Sequence, residues 1–349
     1  MEITKSIVLP KKKRAIVIIG AGGIVNDAHL PAYKKAGFNV KAIYDINNEK
    51  AVQTAALYNI GLVCKDLNEL IEFAKNEDCI YDLALPASAI LSVLNCLPEG
   101  SGVLIQKPMG DNLQEANKIL ELCRNKNLIA GINFQLRHAP YILGAKQIIE
   151  QGLIGDLHDI DVRINILMPW QLWGFLYKLP RMEILYNSIH YIDLIRYFFG
   201  NPKLVYAKTT KHPRFKELAS TRSSIILDYG DLIRANINTN HGHGFGLKHQ
   251  ESYIKFEGTH GAIKIVMGLN LNYPDGMPDQ FEFISLNDNI GWQTVAIKGS
   301  WFPDAFVGPM AGLMCKMEDS NFKYINSVED AIYTMDVVEQ CYQSSDRKI

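Results

Sequence analysis

A lysine closes one of the most apolar short segments of the chain. Lys107 follows the run Gly102 to Gln106 and precedes Pro108. Removing a cation from water is costly unless the protein compensates it, so a lysine in this place is a candidate for chemistry. Its side chain can hydrogen-bond a substrate oxygen and pass a proton. A surface lysine at a strand end is the alternative, and the flanking Ile105 and Pro108 favour the chemical interpretation.

A second group of candidate side chains lies on one predicted helix, Ile184–Phe199. Tyr186, His190 and Asp193 are spaced i, i+4 and i+7, which places them on one face of an α-helix. Histidine has an ordinary pKa of about 6.5, which suits a general base near neutral pH. Asn187 lies beside them and could orient a ligand, and Asp193 could support the site or be structural. A histidine satisfied within the core is the alternative.

A glycine-rich loop lies between a predicted strand and a predicted helix. Gly20, Gly22 and Gly23 allow a tight turn and let backbone N–H groups approach a pyrophosphate at the helix start. Val25 fills the third small-residue position of the dinucleotide motif, which weakens the match. An ordinary strand-to-helix turn is the alternative.

An aspartate strengthens the prediction of a dinucleotide site. Asp45 ends the second predicted strand, where an acidic residue binds the ribose hydroxyls of the adenosine. No arginine follows it to accept a 2′-phosphate, so NAD is favoured over NADP. Asp45 could also cap the next helix. Pro86 ends the fourth predicted strand, at the sheet edge where ligands bind.

Two aromatic or histidine-rich segments are candidates for the substrate pocket. Trp170 and Trp173 lie in a loop, where they could stack on a sugar ring, pack the loop or meet a subunit. The tract 239–244 alternates glycine with histidine and predicts a mobile lid. We predict no metal site, because no acid or cysteine is suitably spaced from these histidines.

The elements that must position these residues alternate in type up to residue 133. Short apolar strands are separated by helical segments, a pattern typical of a parallel doubly wound sheet. The predicted strands are 15–19, 38–44, 62–64, 80–85, 103–106 and 129–133. The predicted helices are 26–36, 47–58, 68–75, 88–96 and 113–125.

After residue 140 the pattern changes to longer strand-like segments separated by turn signals. It predicts antiparallel hairpins accompanied by a few helices. The predicted strands are 157–167, 204–210, 223–228, 232–238, 251–257 and 262–267, and the helices are 141–151, 184–199 and 328–345. We therefore predict two domains, 1–133 for the nucleotide and 134–349 for the substrate and for oligomerisation.

The composition narrows the class of protein. The chain has 349 residues, of which 48% are apolar and 21% charged, which is typical of a soluble globular protein. The net charge of −1 predicts no attraction to nucleic acid or to a membrane surface. Six cysteines without metal-binding spacing, an N-terminus too polar for a secretory signal and no transmembrane run indicate a cytoplasmic protein.

The motifs together resemble the glucose–fructose oxidoreductase, inositol dehydrogenase and rhizopine-catabolism (Gfo/Idh/MocA) family over nearly the whole chain. The segments that carry the resemblance are 20–24, 29–32, 106–108, 134–140 and 188–194. The resemblance implies a Rossmann domain followed by a domain with an open, mainly antiparallel sheet flanked by helices. It further implies NAD(P)-dependent action on sugars or cyclitols, and homodimers or homotetramers formed by sheet packing. It also implies cofactor contacts at Ile24 and Lys107 and a substrate contact at Arg137.

Two departures from the family pattern bear on the chemistry. The customary glutamate before the lysine is Gln106, and an aspartate that many members carry four residues before the histidine is Tyr186. The resemblance implies catalytic roles for Lys107 and His190. The proton could pass through His190, through Tyr186 or through both.

Three functions are compatible with these residues. The leading hypothesis is hydride transfer between NAD and a secondary alcohol or ketone of a sugar, sugar derivative or cyclitol. A second is glycoside hydrolysis through transient oxidation and elimination, with no net formation of NADH. A third is a sugar-responsive regulator without catalysis, which the presence of Lys107 disfavours.

Overall fold

The computed structural model describes residues 3–287 and 290–347, in two compact units. One unit, the nucleotide unit, contains Ile7–His138 and Trp301–Met335. The other, the substrate unit, contains Met1–Ser6, Ala139–Ser300 and Asp336–Ile349. Both units are built from separated segments, whereas the predicted boundary after residue 133 divides the chain once. The domain boundary after residue 133 therefore stays a prediction.

The helices and strands of the described residues follow the predicted alternation in the first part of the chain. The strands are β1 Ile16–Ile19, β2 Val40–Tyr44, β3 Leu62–Val63, β4 Ile80–Leu83, β5 Gly102–Ile105, β6 Ile129–Ile132, β7 Leu157–Asn165, β8 Leu204–Thr210, β9 Arg222–Asp228, β10 Arg234–Asn240, β11 Glu251–Gly258, β12 Gly261–Val266, β13 Gln280–Ser285 and β14 Gln293–Thr294. The helices are α1 Leu30–Ala36, α2 Asn48–Tyr58, α3 Leu67–Asn76, α4 Ala87–Cys96, α5 Leu113–Asn125, α6 Pro140–Glu150, α7 Ile189–Phe199, α8 Val307–Glu318 and α9 Val328–Asp346.

The nucleotide unit is built on a six-stranded parallel sheet in the order β3-β2-β1-β4-β5-β6. This is the strand order of a dinucleotide-binding doubly wound fold. Strands β1, β4 and β5 are buried along their whole length, which explains why their sequences are apolar except for Asp82 of β4. The predicted Rossmann sheet is therefore confirmed.

Side-chain caps determine where three of the helices of this unit begin. The side chains of Asn47, Asp66 and Asn112 accept the backbone N–H of Lys50, Glu69 and Glu115, respectively. Each cap satisfies one of the N–H groups that have no acceptor within the helix. The helix that Asp66 caps, α3, corresponds to the helix predicted over 68–75.

The nucleotide unit also contains helix α8, in a region where the sequence analysis predicts no element. Gly308, Pro309 and Gly312 weaken the helical signal of this segment. Pro309 is tolerated because it lies in the first turn, where its missing N–H has no intrahelical acceptor. Met310, Leu313 and Met314 on this helix are buried in the same core cluster as β1 and α1.

The substrate unit is built on an eight-stranded sheet in the order β14-β13-β12-β11-β7-β10-β9-β8. All neighbours pair antiparallel except β7 and β10, which are parallel. The predicted open, mainly antiparallel sheet is confirmed. Strand β13 was not predicted, although its sequence alternates between buried and partly exposed residues.

The two faces of this sheet differ in polarity. Ile160, Val162 and Ile164 of β7 are buried. The intervening side chains of β7 instead hydrogen-bond those of β10 on the opposite face, which we call the open face: Asp161 to Asn236, Arg163 to Asn238 and Asn165 to Asn240. The alternation follows from the two-residue period of a strand.

A substitution at Gly131 of β6 would test how tightly the segment 301–335 packs within the nucleotide unit. A Cβ atom at Gly131 would lie 2.0 Å from the hydroxyl oxygen of Tyr324, which itself donates to the carbonyl oxygen of Pro309. Gly131→Ala should lower the free energy of unfolding by about 1–3 kcal/mol through overpacking. Chemical denaturation measures the change.

Gly61→Ala is the matched control, because a Cβ atom there meets no heavy atom within 4 Å. Equal unfolding free energies for both variants would contradict the packing of Tyr324 against β6.

Candidate functional site

The glycine loop lies where the strand order of the parallel sheet reverses, between β1 and β4. Gly20 has a φ of 110°, and its N–H donates to the carbonyl oxygen of Tyr44 at 2.8 Å. A Cβ atom at Gly20 would lie 2.4 Å from the carbonyl oxygen of Ala84. Only glycine meets both requirements without strain, and this reversal point is where such sheets bind ligands.

The residues that follow Gly20 leave space for a ligand. A Cβ atom at Gly22 would meet nothing within 4 Å, while Gly23 is exposed and Ile24 is half-buried. Val25 is fully buried and begins a π-helical turn, Val25–His29, that leads into α1. A π-helical turn is wider than an α-helical one, which is compatible with a residue larger than glycine at this position.

Asp45 holds the glycine loop against the end of β2. One carboxylate oxygen accepts the N–H of Ala21 at 2.7 Å, and the other accepts the N–H of Asn47 at 2.7 Å. The cap of α2 is Asn47, so the helix-cap alternative for Asp45 is wrong. Each carboxylate oxygen has a second lone pair, which leaves Asp45 able to accept ribose hydroxyl groups.

Lys107 follows β5 at the carboxyl edge of the same sheet. Its side chain is half-buried, and the loss of water around the ammonium lowers its pKa from an ordinary value near 10.5 to about 8. The peptide bond between Lys107 and Pro108 is cis. Pro86 lies at the same edge, where it is exposed and caps α4. The glycine loop, Asp45, Pro86 and Lys107 therefore belong to one edge of one sheet.

A fully buried polar network lies within the nucleotide unit and was not predicted. The carboxylate of Asp82, on β4, accepts the hydroxyl of Tyr33 and contacts Nδ1 of His29, both at 2.7 Å. Nε2 of His29 lies 3.2 Å from the amide nitrogen of Asn133. An aspartate within the apolar run of β4 is the sequence signal that could have indicated it. The network ties the start of α1 to β4 and to the end of β6.

In the substrate unit, the predicted helix Ile184–Phe199 consists of two segments. Glu183–Ser188 is a π-helical turn, and α7 begins at Ile189. The face predicted to carry Tyr186, His190 and Asp193 therefore extends over a π-helical turn and an α-helix, and for Tyr186 it stays a prediction. His190 and Asp193, both in α7, still share a side of that helix.

The exposure of these side chains differs. Tyr186 and Asn187 are half-buried, whereas His190 is 8% exposed and Asp193 1% exposed. The amide nitrogen of Asn187 is buried and has no hydrogen-bond partner among the described residues. Asn187 therefore keeps an unused donor beside Tyr186, as a ligand-binding residue would.

The loop tryptophans have different environments. Trp170 is 2% exposed and packs in a small core with Leu176, Met182 and Leu218, so the prediction that it stacks on a sugar is wrong. Burial of a large aromatic ring within the loop is more favourable than its exposure. Trp173 is only partly buried, with its ring 5.5 Å from that of Tyr273. It stays a candidate for substrate contact.

Arg137 has a structural role in the nucleotide unit. It is 3% exposed, donates to the carboxylate of Asp330 at 2.6 Å and donates to the carbonyl oxygen of Ile325. The predicted substrate contact is therefore wrong, because the guanidinium is buried against the segment 325–330. A buried arginine needs such partners to offset its loss of water.

The prediction of a mobile lid over residues 239–244 is wrong for His241. His241 is 2% exposed, and its N–H donates to the carbonyl oxygen of Thr221. Its Nε2 lies 3.3 Å from a carboxylate oxygen of Glu183, a fully buried residue that was not predicted to matter. Glycine content suggested mobility, whereas the strand β10 continues to Asn240 and fixes the next residue.

The nucleotide unit has the features that NAD requires. The first N–H groups of a helix have no intrahelical acceptor, so those of Gly23 and Ile24 are available to a pyrophosphate, whereas those of Val25 and Asn26 donate to the carbonyl oxygen of Gly22. Space beside Gly22 and the carboxylate of Asp45 fit the phosphates and the adenosine ribose, respectively.

The comparisons with known proteins agree with both units. Residues 14–134 match the family model described as "Oxidoreductase family, NAD-binding Rossmann fold". Residues 146–349 match the companion model, "Oxidoreductase family, C-terminal alpha/beta domain". No helix in 3–287 or 290–347 is long and apolar enough to cross a membrane.

Relatives and a solved structure extend this likeness. Glucose-6-phosphate 3-dehydrogenase of Bacillus subtilis is 24% identical, over 74% of this chain and 79% of its own. Levoglucosan dehydrogenase of Pseudarthrobacter phenanthrenivorans is 24% identical over 51% and 50% of the two chains. A crystal structure of an Agrobacterium radiobacter oxidoreductase with NAD+, L-tartaric acid and magnesium is 19% identical, covers 96% of both chains and has a TM-score of 0.78.

The share of each chain that is covered, and the sequence identity, limit what each match shows about this chain. The chain spans about half to three fifths of the length of the first curated relatives. At 19% identity, the solved structure supports the fold alone. The two family models, by contrast, together cover nearly all of the sequence. The chain therefore belongs to the Gfo/Idh/MocA oxidoreductase family.

Proposed function

We propose that the chain is an NAD-dependent oxidoreductase that transfers a hydride between the cofactor and a secondary alcohol or ketone of a sugar, sugar derivative or cyclitol. The observation that carries the proposal is Lys107. It is an amine of lowered pKa at the sheet edge that also bears the glycine loop and Asp45. Functional sites commonly combine a lowered lysine pKa with a cofactor-binding edge.

In the proposed reaction, Lys107 holds the alcohol oxygen. Its ammonium donates a hydrogen bond and stabilises the negative charge that grows as the hydroxyl loses its proton. NAD held at this edge would supply the acceptor for the hydride of the carbon that bears this oxygen, so that the C–H and O–H bonds would break and a carbonyl double bond would form. The substrate proton passes to a protein side chain.

Two side chains are candidates for that proton. His190 has an imidazole of suitable basicity and matches the catalytic histidine of the family. Tyr186 replaces the family aspartate, and its phenol has an ordinary pKa of about 10 that would need a nearby cation to lower it. We keep both candidates, and the half-buried amide of Asn187 supports a role in orienting the substrate.

The proposed cofactor preference is NAD over NADP. Asp45 would bind the ribose hydroxyls through its carboxylate and would repel a 2′-phosphate. Ile46, Asn47 and Asn48 follow it and provide no cation for that phosphate. The names of the relatives, which act on glucose 6-phosphate and levoglucosan, support a sugar-like substrate.

We also propose that the chain forms a homo-oligomer that packs through the open face of the eight-stranded sheet. We further propose that it is located in the reducing cytoplasm. Tyr206 on β8 and Ile226 on β9 are 54% and 53% exposed. Exposure of these large apolar side chains to water is unfavourable in a monomer, and packing against a second copy would bury them. All six cysteines are free, which suits a reducing compartment. Sedimentation of the full chain would test the dimer or tetramer.

A substrate screen tests the proposed function. Purified protein with NAD or NADP is mixed with aldoses, sugar phosphates, levoglucosan and cyclitols, and absorbance of the reduced cofactor is followed. Net NADH formation with at least one compound is expected. Glycoside cleavage without net NADH would instead indicate hydrolysis, and binding without turnover would indicate a regulator.

Lys107→Ala should lower kcat by about 10²–10³-fold, because the oxygen loses its charged donor. The Kd for NAD should change little. Steady-state kinetics and fluorescence titration measure the two quantities. Lys126→Ala is the control, since the ammonium of Lys126 donates to the carbonyl oxygen of Asn95 at an exposed helix end.

The pH dependence provides a second test of Lys107. The protonated amine predominates below its pKa of about 8, so kcat/KM for ketone reduction should be level below that pH and fall above it. Lys107→Arg keeps its charge and should move the descending limb to higher pH. Near-normal turnover by Lys107→Ala would refute the role.

Tyr186→Phe and His190→Asn separate the two proton acceptors. The variant that removes the true acceptor should lose about 10²–10⁴-fold in kcat and lose the acidic limb of the kcat profile. The other variant should keep that limb. Equal pH profiles for wild type and both variants would exclude both residues as acceptors.

Asp45→Asn should raise the Kd for NAD by about 10- to 100-fold, because a charge-assisted pair with the ribose is lost. Its preference for NAD over NADP should shrink. Asp66→Asn is the control: Asp66 also accepts a backbone N–H, at the start of α3, and asparagine keeps that cap. Calorimetric titration of both nucleotides gives the result.

A further inference from the structure

Glu183 is a fully buried carboxylate whose hydrogen-bond partners are two hydroxyls and one imidazole. It accepts from the hydroxyl of Ser188 at 2.7 Å, from the hydroxyl of Ser223, and from Nε2 of His241 at 3.3 Å. It is 0% exposed. Three donors converge on one side chain, which is the arrangement that an ionised carboxylate needs in a protein interior.

The charge state of Glu183 follows from these contacts. Burial raises the pKa of Glu183, but the hydrogen bonds and charge of His241, with the hydroxyls of Ser223 and Ser188, outweigh it and bring the pKa below its ordinary value. The group is therefore an anion near neutral pH. As an anion it accepts from all three donors and donates to none.

The donors come from separate parts of the substrate unit. Ser223 lies on β9, where its hydroxyl also contacts Oγ1 of Thr209 on β8 at 3.0 Å. His241 directly follows β10. Ser188 is the last residue of the π-helical turn that Glu183 begins. One carboxylate thus connects the two ends of the turn to each other, to β9 and to the residue that follows β10.

The turn held in this way carries the residues that the proposed reaction uses. Tyr186 and Asn187 lie between Glu183 and Ser188, and His190 follows one residue after α7 begins. The hydroxyl of Ser188 and the carboxylate of Glu183 close the turn across them. A change in the path of the backbone here would move all three side chains.

Core stability alone accounts poorly for this arrangement. A buried charge loses its hydration, and replacing buried ionic groups by apolar side chains is often neutral or stabilising. Ser188, Ser223 and His241 are also buried, at 0%, 3% and 2% exposure, so a compact apolar cluster would fit the same space. Directional hydrogen bonds determine a backbone path in a way that apolar packing does not.

We infer that Glu183 is a positioning residue, which acts through Ser188 to hold Tyr186, Asn187 and His190 in register with the substrate. This inference rests on the proposed function. The sequence provides no motif for it, because its partners are 5, 40 and 58 residues away along the chain.

The test uses Glu183→Gln and Ser188→Ala in the full-length protein, with Asp159→Asn as the matched control. Asp159 is also a buried acid of the same unit, 6% exposed and paired with Arg234, but it lies on β7. Kinetics use NAD and the substrate found in the screen. Amide hydrogen exchange, followed by mass spectrometry, reports the protection of residues 183–190 without any need for turnover.

Both test variants should lose about 10- to 100-fold in kcat, because small misplacements of reacting groups have effects of this size. Their Kd for NAD should be unchanged, and residues 183–190 should exchange faster. Asp159→Asn should lower the unfolding temperature without these changes. Ser188→Ala removes only the hydroxyl that donates to Glu183. It therefore still tests the positioning role if Glu183→Gln does not fold.

Wild-type kcat in Ser188→Ala, or unchanged exchange of residues 183–190, would overturn the positioning role. An equal loss of kcat in Asp159→Asn, at a similar loss of unfolding temperature, would also overturn it. If the wild-type protein converts no compound in the screen, the proposed function fails. Hydrogen exchange then still decides whether Glu183 holds the turn.

Discussion

The close approach of Gly20 to the carbonyl oxygen of Ala84 is the contact on which the nucleotide unit depends. It lets β1 end at the reversal of the strand order, directly beside β4, with the loop turned over the sheet edge. Asp45 then reaches the N–H of Ala21 from the end of β2. A side chain at Gly20 would separate these elements, and the edge that also bears Lys107 would lose its shape.

The two units use a similar device in different places. Asp82 in one unit and Glu183 in the other are fully buried carboxylates. Among the described residues, each forms hydrogen bonds with hydroxyl and imidazole groups. Each connects a helix or helical turn to strands that are distant in sequence. Because an unpaired buried charge is very unfavourable, such a residue tolerates few alternative backbone arrangements. Both therefore restrict the elements that lead to the proposed functional residues.

The sequence predicted the parallel sheet well because buried parallel strands are continuous apolar runs and their helices have recognisable caps. It predicted the antiparallel sheet because strands alternate buried and exposed residues. It missed α8, where glycine and proline weaken the helical signal, and it missed the π-helical turn at Glu183, whose residues read as an ordinary helix. The resemblance implied a substrate contact at Arg137, and the sequence left Trp170 open between a sugar contact and loop packing, because neither reveals which side chains are buried.

The sequence by itself determined the family, the glycine loop, Asp45 and the position of Lys107 after a buried strand, because these features are local along the chain. Only the tertiary structure decided that Arg137 pairs with Asp330, that Trp170 packs inside its loop and that Glu183 meets Ser223 and His241. The contacts of Arg137 and Glu183 join residues far apart in sequence, and Trp170 packs against Leu218 as well as against its own loop. Their partners are chosen by how strands and helices pack, which no local pattern of residue types records.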